Sequence, residues 1–122
     1  MTAFEIGTKL VQLCREGKNM EAIEKFYAPD IKSYEAFAPA GGSREASGIQ
    51  AVIEKSKWWG DNHTVHSATI EGPFPFDDKF AVYFKYDVTQ KASGKRFPMN
   101  EVAIYHVQKD KVVREEFWYQ GM

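Results

Sequence analysis

The sequence predicts an α+β domain in which three N-terminal helices cover one face of a curved antiparallel sheet. Three observations carry this. Apolar residues recur at helical spacing over three segments in the first half of the chain, each with its own end signals. Residues 80–89, Phe-Ala-Val-Tyr-Phe-Lys-Tyr-Asp-Val-Thr, alternate with the period-two pattern of a half-buried strand. The strand-like segments 79–91, 96–108 and 111–120 are joined by connections short enough for hairpins. Helices first and a meander afterwards is the order of an α+β domain.

The first helix is expected over 3–16. Thr2 and Glu5 form a capping box, Ile6, Leu10, Leu13 and Cys14 form its apolar stripe, and Gly17 stops it. The second is expected to start at Asn19 as N-cap, to bury Ala22, Ile23, Phe26 and Tyr27, and to end before Pro29. Residues 31–37 read as a short strand and 38–46 as a loop with a Gly-Gly pair. Ser47 and Gln50 suggest a second capping box. It opens a helix that turns Ile49, Val52, Ile53 and Ser56 inward and ends near Trp58-Trp59-Gly60. Strands follow over about 63–71, 79–91, 96–108 and 111–120.

A chain of 122 residues is one domain, 1–122. Its net charge of −1, from 16 basic and 17 acidic residues interspersed, argues against a nucleic-acid partner. No apolar run is long enough to cross a bilayer. The N-terminus lacks the apolar segment of a signal peptide, and the single cysteine, Cys14, cannot close an intrachain disulfide; both point to the cytoplasm. No metal-spaced Cys/His cluster, P-loop or dinucleotide fingerprint is present, so neither metal nor organic cofactor is expected.

Hairpin pairing places the polar residues. With Ser93-Gly94 as the turn, Val88 faces Met99, Tyr86 faces Glu101 and Phe84 faces Ala103. With Lys109-Asp110 as the next turn, Tyr105 faces Arg114, Ala103 faces Glu116 and Glu101 faces Trp118. Residues directly opposite share a face. Glu101 and Glu116 then lie diagonally on one apolar face with Phe84, Tyr86, Met99, Tyr105, Arg114 and Trp118. Two carboxylates on a dry face suggest a pocket with acid/base capability. The second turn lacks Gly and Asn, and a one-residue bulge there would turn Glu116 outward and bring Glu115, Phe117 and Tyr119 in. The opposite face, with Val102, Ile104, Val113, Phe117 and Tyr119, is too apolar for open water, so a homodimer through it is expected.

Nearly the whole chain resembles the SnoaL-like branch of the nuclear transport factor 2-like superfamily. The resemblance lies in Trp58-Trp59-Gly-Asp-Asn-His63-Thr-Val-His66, in Phe97-Pro-Met99-Asn-Glu101-Val and in Lys111-Val-Val-Arg114-Glu-Glu116-Phe-Trp-Tyr. It implies a cone-shaped domain with a pocket between helices and sheet, and a dimer. Such relatives include polyketide cyclases, ketosteroid isomerases, epoxide hydrolases, dehydratases and non-enzymatic binders. The Tyr-Asp-Asp set of the isomerases and the single Asp of the cyclases have no counterpart here. Arg114-x-Glu116 is similar to the Arg-x-Asp of limonene epoxide hydrolases.

These readings converge on one function: a cofactor-independent isomerase, cyclase or dehydratase acting on a small, flat, largely apolar molecule. Glu101 is the candidate general base, with Glu116 as its coupled partner and His63 as a hydrogen-bond donor or acid/base group. Trp58, Trp59, Phe84, Tyr86, Met99, Tyr105 and Trp118 would line the substrate, Arg114 would offer charge, and Tyr34 would line the mouth. Structural roles stand beside each. Glu101 could pair with Arg114 or a Tyr hydroxyl, Glu116 with Arg114, and His63 could be packed core. A non-catalytic binding or accessory protein would use the same pocket without turnover.

Overall fold

The computed structural model describes residues 1–38 and 41–120. Pro39 and Ala40, within the expected 38–46 loop, and 121–122 lie outside these. Helix α1 (Ala3–Arg15) starts as expected: the Thr2 Oγ accepts from the Glu5 N–H at 3.1 Å, and the Glu5 carboxylate accepts from the Thr2 N–H at 3.0 Å. Ile6, Leu10 and Val11 are its buried stripe, with Leu13 and Cys14 half-buried beside them. Gly7 brings α1 hard against the sheet; a Cβ there would meet Pro73 at 2.8 Å and the Phe80 ring at 3.0 Å.

Helix α2 (Asn19–Phe26) has Lys18 rather than Asn19 at its N-cap and no side-chain cap. Strand β1 (Tyr27–Tyr34) follows at once, four residues ahead of the expected start at 31. Ser47 does not cap the third helix. It lies in an unforeseen short strand, β2 (Glu45–Ser47), where its hydroxyl accepts from Lys32 and donates to Glu45. Gly48, at φ +87°, makes the turn into α3 (Ile49–Asn62). Four long strands complete the chain: β3 (His63–Phe76), β4 (Lys79–Gln90), β5 (Arg96–Gln108) and β6 (Lys111–Trp118).

The sheet order is β2-β1-β6-β5-β4-β3. The sheet is curved, with the helices on its concave face, but it is mixed rather than wholly antiparallel. β1 docks parallel on the free edge of β6, pairing the first strand with the last. Sequence adjacency predicts hairpins and carries no information on that pairing.

The β4–β5 hairpin closes around 91–94 rather than Ser93-Gly94. Tyr86 therefore faces Met99, Phe84 faces Glu101 and Val82 faces Ala103. The register differs from expectation by two, and a shift of two preserves the face. Glu101 stays on the concave side. The β5–β6 turn is the expected one: Lys109 and Asp110 adopt left-handed φ of 50° and 64°, and Gln108 faces Lys111. Between His106 and Val107 the register then slips by one, so that Tyr105 faces Glu115 and Ala103 faces Phe117. This overturns the expected diagonal placement of Glu101 and Glu116 on one face. Arg114, Glu116 and Trp118 turn to the convex face, while Glu115 and Phe117 turn inward.

The core lies between α1, α2 and the concave face, around Ile6, Leu10, Ile23, Ile31, Phe80, Val82 and Val112. Phe80 and Tyr105 stack there at 4.8 Å. Among the described residues no helix is long and apolar enough to cross a membrane.

Candidate functional site

A cavity of about 150 Å³ opens between the three helices and the concave sheet. α1 packs tightly on β3 and β4 at Gly7, and the cavity lies beyond that contact, bordered by Trp59 and Met99. Its walls are apolar and aromatic, from Leu10, Ile23, Val52, Trp59, Phe84, Tyr86, Met99, Tyr105 and Phe117. Three carboxyl groups and one amine face it: Glu35 just after β1, Lys55 from α3, Glu101 from β5 and Glu115 from β6.

These four are not equivalent. Glu115 is 2% exposed and fully satisfied: it accepts from the Tyr27 hydroxyl and, at 2.8 Å, from the Ser33 hydroxyl. Burial still pushes its pKa up, against the opposing pull of Lys55 and the two hydroxyls. Lys55 donates to the Ser33 Oγ at 2.6 Å, pairs with Glu35 at 3.2 Å and lies 5.0 Å over the Phe117 ring. Glu35 also accepts from the Tyr119 hydroxyl at 3.4 Å.

Glu101 differs. Its carboxyl has no hydrogen-bond or ion-pair partner among the described residues, and its oxygens open on the cavity. Burial, then repulsion from Glu35, push its pKa up to about 8, with Lys55 pulling down and Glu115 adding to the rise. The expected bridge to Arg114 is absent, because Arg114 is on the other side of the sheet bonded to Glu116 at 2.8 Å. Tyr86 is the diagonal neighbour of Glu101 on β4, and burial raises its pKa, so its hydroxyl stays protonated.

Met99 and Glu101 also border a second, larger hollow of about 1180 Å³ on the far side, with Phe37, His63, Phe97, Trp118 and Tyr119. It exists because β6 ends at Trp118 opposite Val102, leaving the first half of β5 without a neighbour on that edge. Glu101 thus stands at the junction of an inner cavity and an outer groove.

The structure brings together Trp59, Phe84, Tyr86, Met99, Glu101 and Tyr105 of the expected site. It does not bring the others. Trp58 is 60% exposed. His63 stacks on Trp59 at 4.6 Å, donates from Nδ1 to the Trp59 carbonyl at 2.9 Å, and borders only the outer groove. Tyr34, under the Arg114 guanidinium at 4.2 Å, belongs with Arg114 and Glu116 to a convex-side hollow. There the Arg114 hydrogen bond holds the Glu116 carboxyl below its usual range, and His106 lies 3.2 Å away. Trp118 is 57% exposed beside them.

Sequence reasoning missed Glu35 and Lys55 as cavity residues. Lys55 sits three residues after Val52 on α3, so the inward face of that helix was a signal for it. Glu35 carried no such signal, lying past the end of its strand. Among the described residues no group of three or more His, Cys, Asp and Glu side chains is arranged to hold a metal ion.

The family model described as a SnoaL-like domain matches residues 1–119. None of the curated proteins matches the chain. A candidate SnoaL-like polyketide cyclase from Mesorhizobium loti, also designated a carbohydrate phosphatase, is 43% identical, with 98% of this chain and 100% of that one covered at a TM-score of 0.92. A nuclear transport factor 2-like protein from Burkholderia thailandensis is 16% identical over 98% and 92% of the two chains, at a TM-score of 0.82. A hypothetical protein of ketosteroid isomerase-like fold from Catenulispora acidiphila, solved with trimethylamine, is 17% identical over 95% and 85%, at 0.72. At these last two identities the likeness is one of fold.

Proposed function

The chain belongs to the SnoaL-like domain family, and from that premise we propose that it is a cofactor-independent enzyme that moves a proton on a small, flat, mostly apolar substrate. One observation carries the reading: the Glu101 carboxyl, open on the cavity and without a protein partner, has a pKa pushed up to about 8. A base works best with a pKa near the working pH. At pH 7 about one molecule in ten carries it ionised. A cavity of about 150 Å³ has room for roughly one six-membered ring.

In this reading the ionised Glu101 takes a proton from carbon next to a substrate carbonyl. The C–H electron pair becomes a C=C bond, and the carbonyl π pair moves to oxygen. The protonated Tyr86 hydroxyl donates to that oxygen in a water-poor site. Glu101 then returns the proton to the same carbon, to a neighbouring one, or to a leaving hydroxyl. Glu116 has no part in this, and His63 stays outside the inner cavity, stacked on Trp59 and bordering the outer groove. The experiment is deuterium uptake from D2O by a panel of small cyclic ketones, followed by NMR. Exchange by the wild type, rising with pH to a plateau above about 8 and abolished in Glu101→Gln, is expected. Exchange that survives the substitution would refute Glu101 as the base.

A second reading, a binder without turnover, draws support from the trimethylamine held by the Catenulispora acidiphila protein. Both readings place the protein in the cytoplasm as a homodimer. The face we propose for the interface is the convex one as the structure composes it: Tyr83, Val102, Ile104 and Trp118. Phe117, expected there, turns into the inner cavity, and Tyr119 lies past the end of β6 beside the outer groove.

A further inference from the structure

We propose that the cavity is built for a small cation, and that its ligand carries an alkylammonium group seated between the Glu101 carboxylate and the aromatic walls. The inference takes from the functional reading only that this cavity is the ligand site.

The charges that face the cavity decide its sign. Cys14, Tyr27, Tyr86 and Tyr105 are held neutral by burial, which pushes all four pKa values up. That leaves Glu35, Lys55, Glu101 and Glu115. Lys55 is the only cation among the described residues that face the cavity, and it is already engaged by Glu35 and the Ser33 hydroxyl. Glu115 is satisfied by Tyr27 and Ser33. Of these four, Glu101 alone has no partner among the described residues, and it is half-buried with its carboxyl open on the cavity. A half-buried carboxylate without a protein partner, facing an apolar cavity, is stabilised by holding a proton or by meeting a positive group.

The walls favour the second. Trp59, Phe84, Tyr86 and Tyr105 present aromatic surface to the cavity. Aromatic faces attract cations, and a desolvated ammonium gains most from them. An anionic ligand would meet three carboxyl groups and one neutralised lysine. At about 150 Å³ the space suits an ammonium with a few methyl groups.

The test compares choline with 3,3-dimethylbutan-1-ol, its uncharged carbon isostere, by calorimetry in amine-free phosphate at pH 7. Choline should bind about tenfold or more tighter, a difference of the size expected for a desolvated cation at aromatic faces beside a carboxylate. Because Glu101 is mostly protonated at pH 7, binding should expel close to one proton per choline, read by pH-stat titration in unbuffered salt. Glu101→Gln should remove most of the choline advantage and leave the alcohol unchanged. Equal affinity for the two probes, or choline binding without proton release, would overturn the proposal using wild-type protein alone. Ketone exchange without cation preference would sink this inference and keep the enzyme reading. Cation preference without exchange would do the reverse.

Discussion

Replacing Glu101 with Gln should raise stability, by an amount that grows with pH. The folded chain holds the Glu101 proton up to about pH 8, whereas the unfolded chain releases it near 4.5. The folded pKa is raised, so the group's contribution is fully present below pH 4.5 and is lost as pH climbs through 8. Each pH unit across that window is worth about 1.4 kcal/mol, so by pH 7 the wild type has given up about 3 kcal/mol. Solvent that reaches the half-buried carboxyl screens part of this, and about 2 kcal/mol is the expected effect. Gln keeps the shape of the protonated acid and does not titrate. The two proteins should therefore match near pH 4.5 and separate by about 2 kcal/mol at pH 7, and by more at pH 8.5. Urea unfolding at the three pH values measures this, in buffers free of amines so that no cation occupies the cavity. A Gln variant less stable than wild type at pH 8.5 would mean that the ionised carboxylate is partnered in the folded state, and both the general-base and the cation-site arguments would fail.

Three further outcomes are expected. Gly7→Ala should destabilise by about 1–3 kcal/mol in thermal or urea unfolding, because Pro73 and the fully packed Phe80 ring leave no room for the methyl group, although Ala is the better helix former. Tyr27→Phe should cost about 1–3 kcal/mol, since it withdraws a hydroxyl donor from the buried Glu115; the loss should increase with pH, because that bond lowers the Glu115 pKa, and a variant of unchanged stability at all pH values would show the bond to be dispensable. Ile104→Glu should convert the proposed dimer to monomer in sedimentation experiments at tens of micromolar; wild-type protein that sediments as a monomer there would remove the convex-face interface, which needs about 1,000 Å² of total buried area.

The parts of this protein legible in its sequence are those that local periodicity dictates. The Thr2–Glu5 box, the three helices and the four long strands follow from spacing within a few residues. The orientation of Glu101 was legible for a sharper reason. Side chains alternate with period two, so a hairpin misplaced by two residues still delivers the right face. Glu116 failed on the same rule: a single slipped residue between His106 and Val107 reversed every position beyond it. The bulge follows from what the concave face must accept. Glu115 can be buried because Tyr27 and Ser33, 88 and 82 residues earlier, supply its hydroxyl donors from β1. Lys55 reaches the same cluster from α3. Those partners meet only when β1 docks along β6, and no spacing in the chain announces a parallel pairing of its first and last strands. Sequence by itself determined which residues could be chemical and on which face of each hairpin they began. Tertiary structure decided which carboxylates are satisfied and which one is left open, because burying a charge depends on partners that only the folded chain brings within reach.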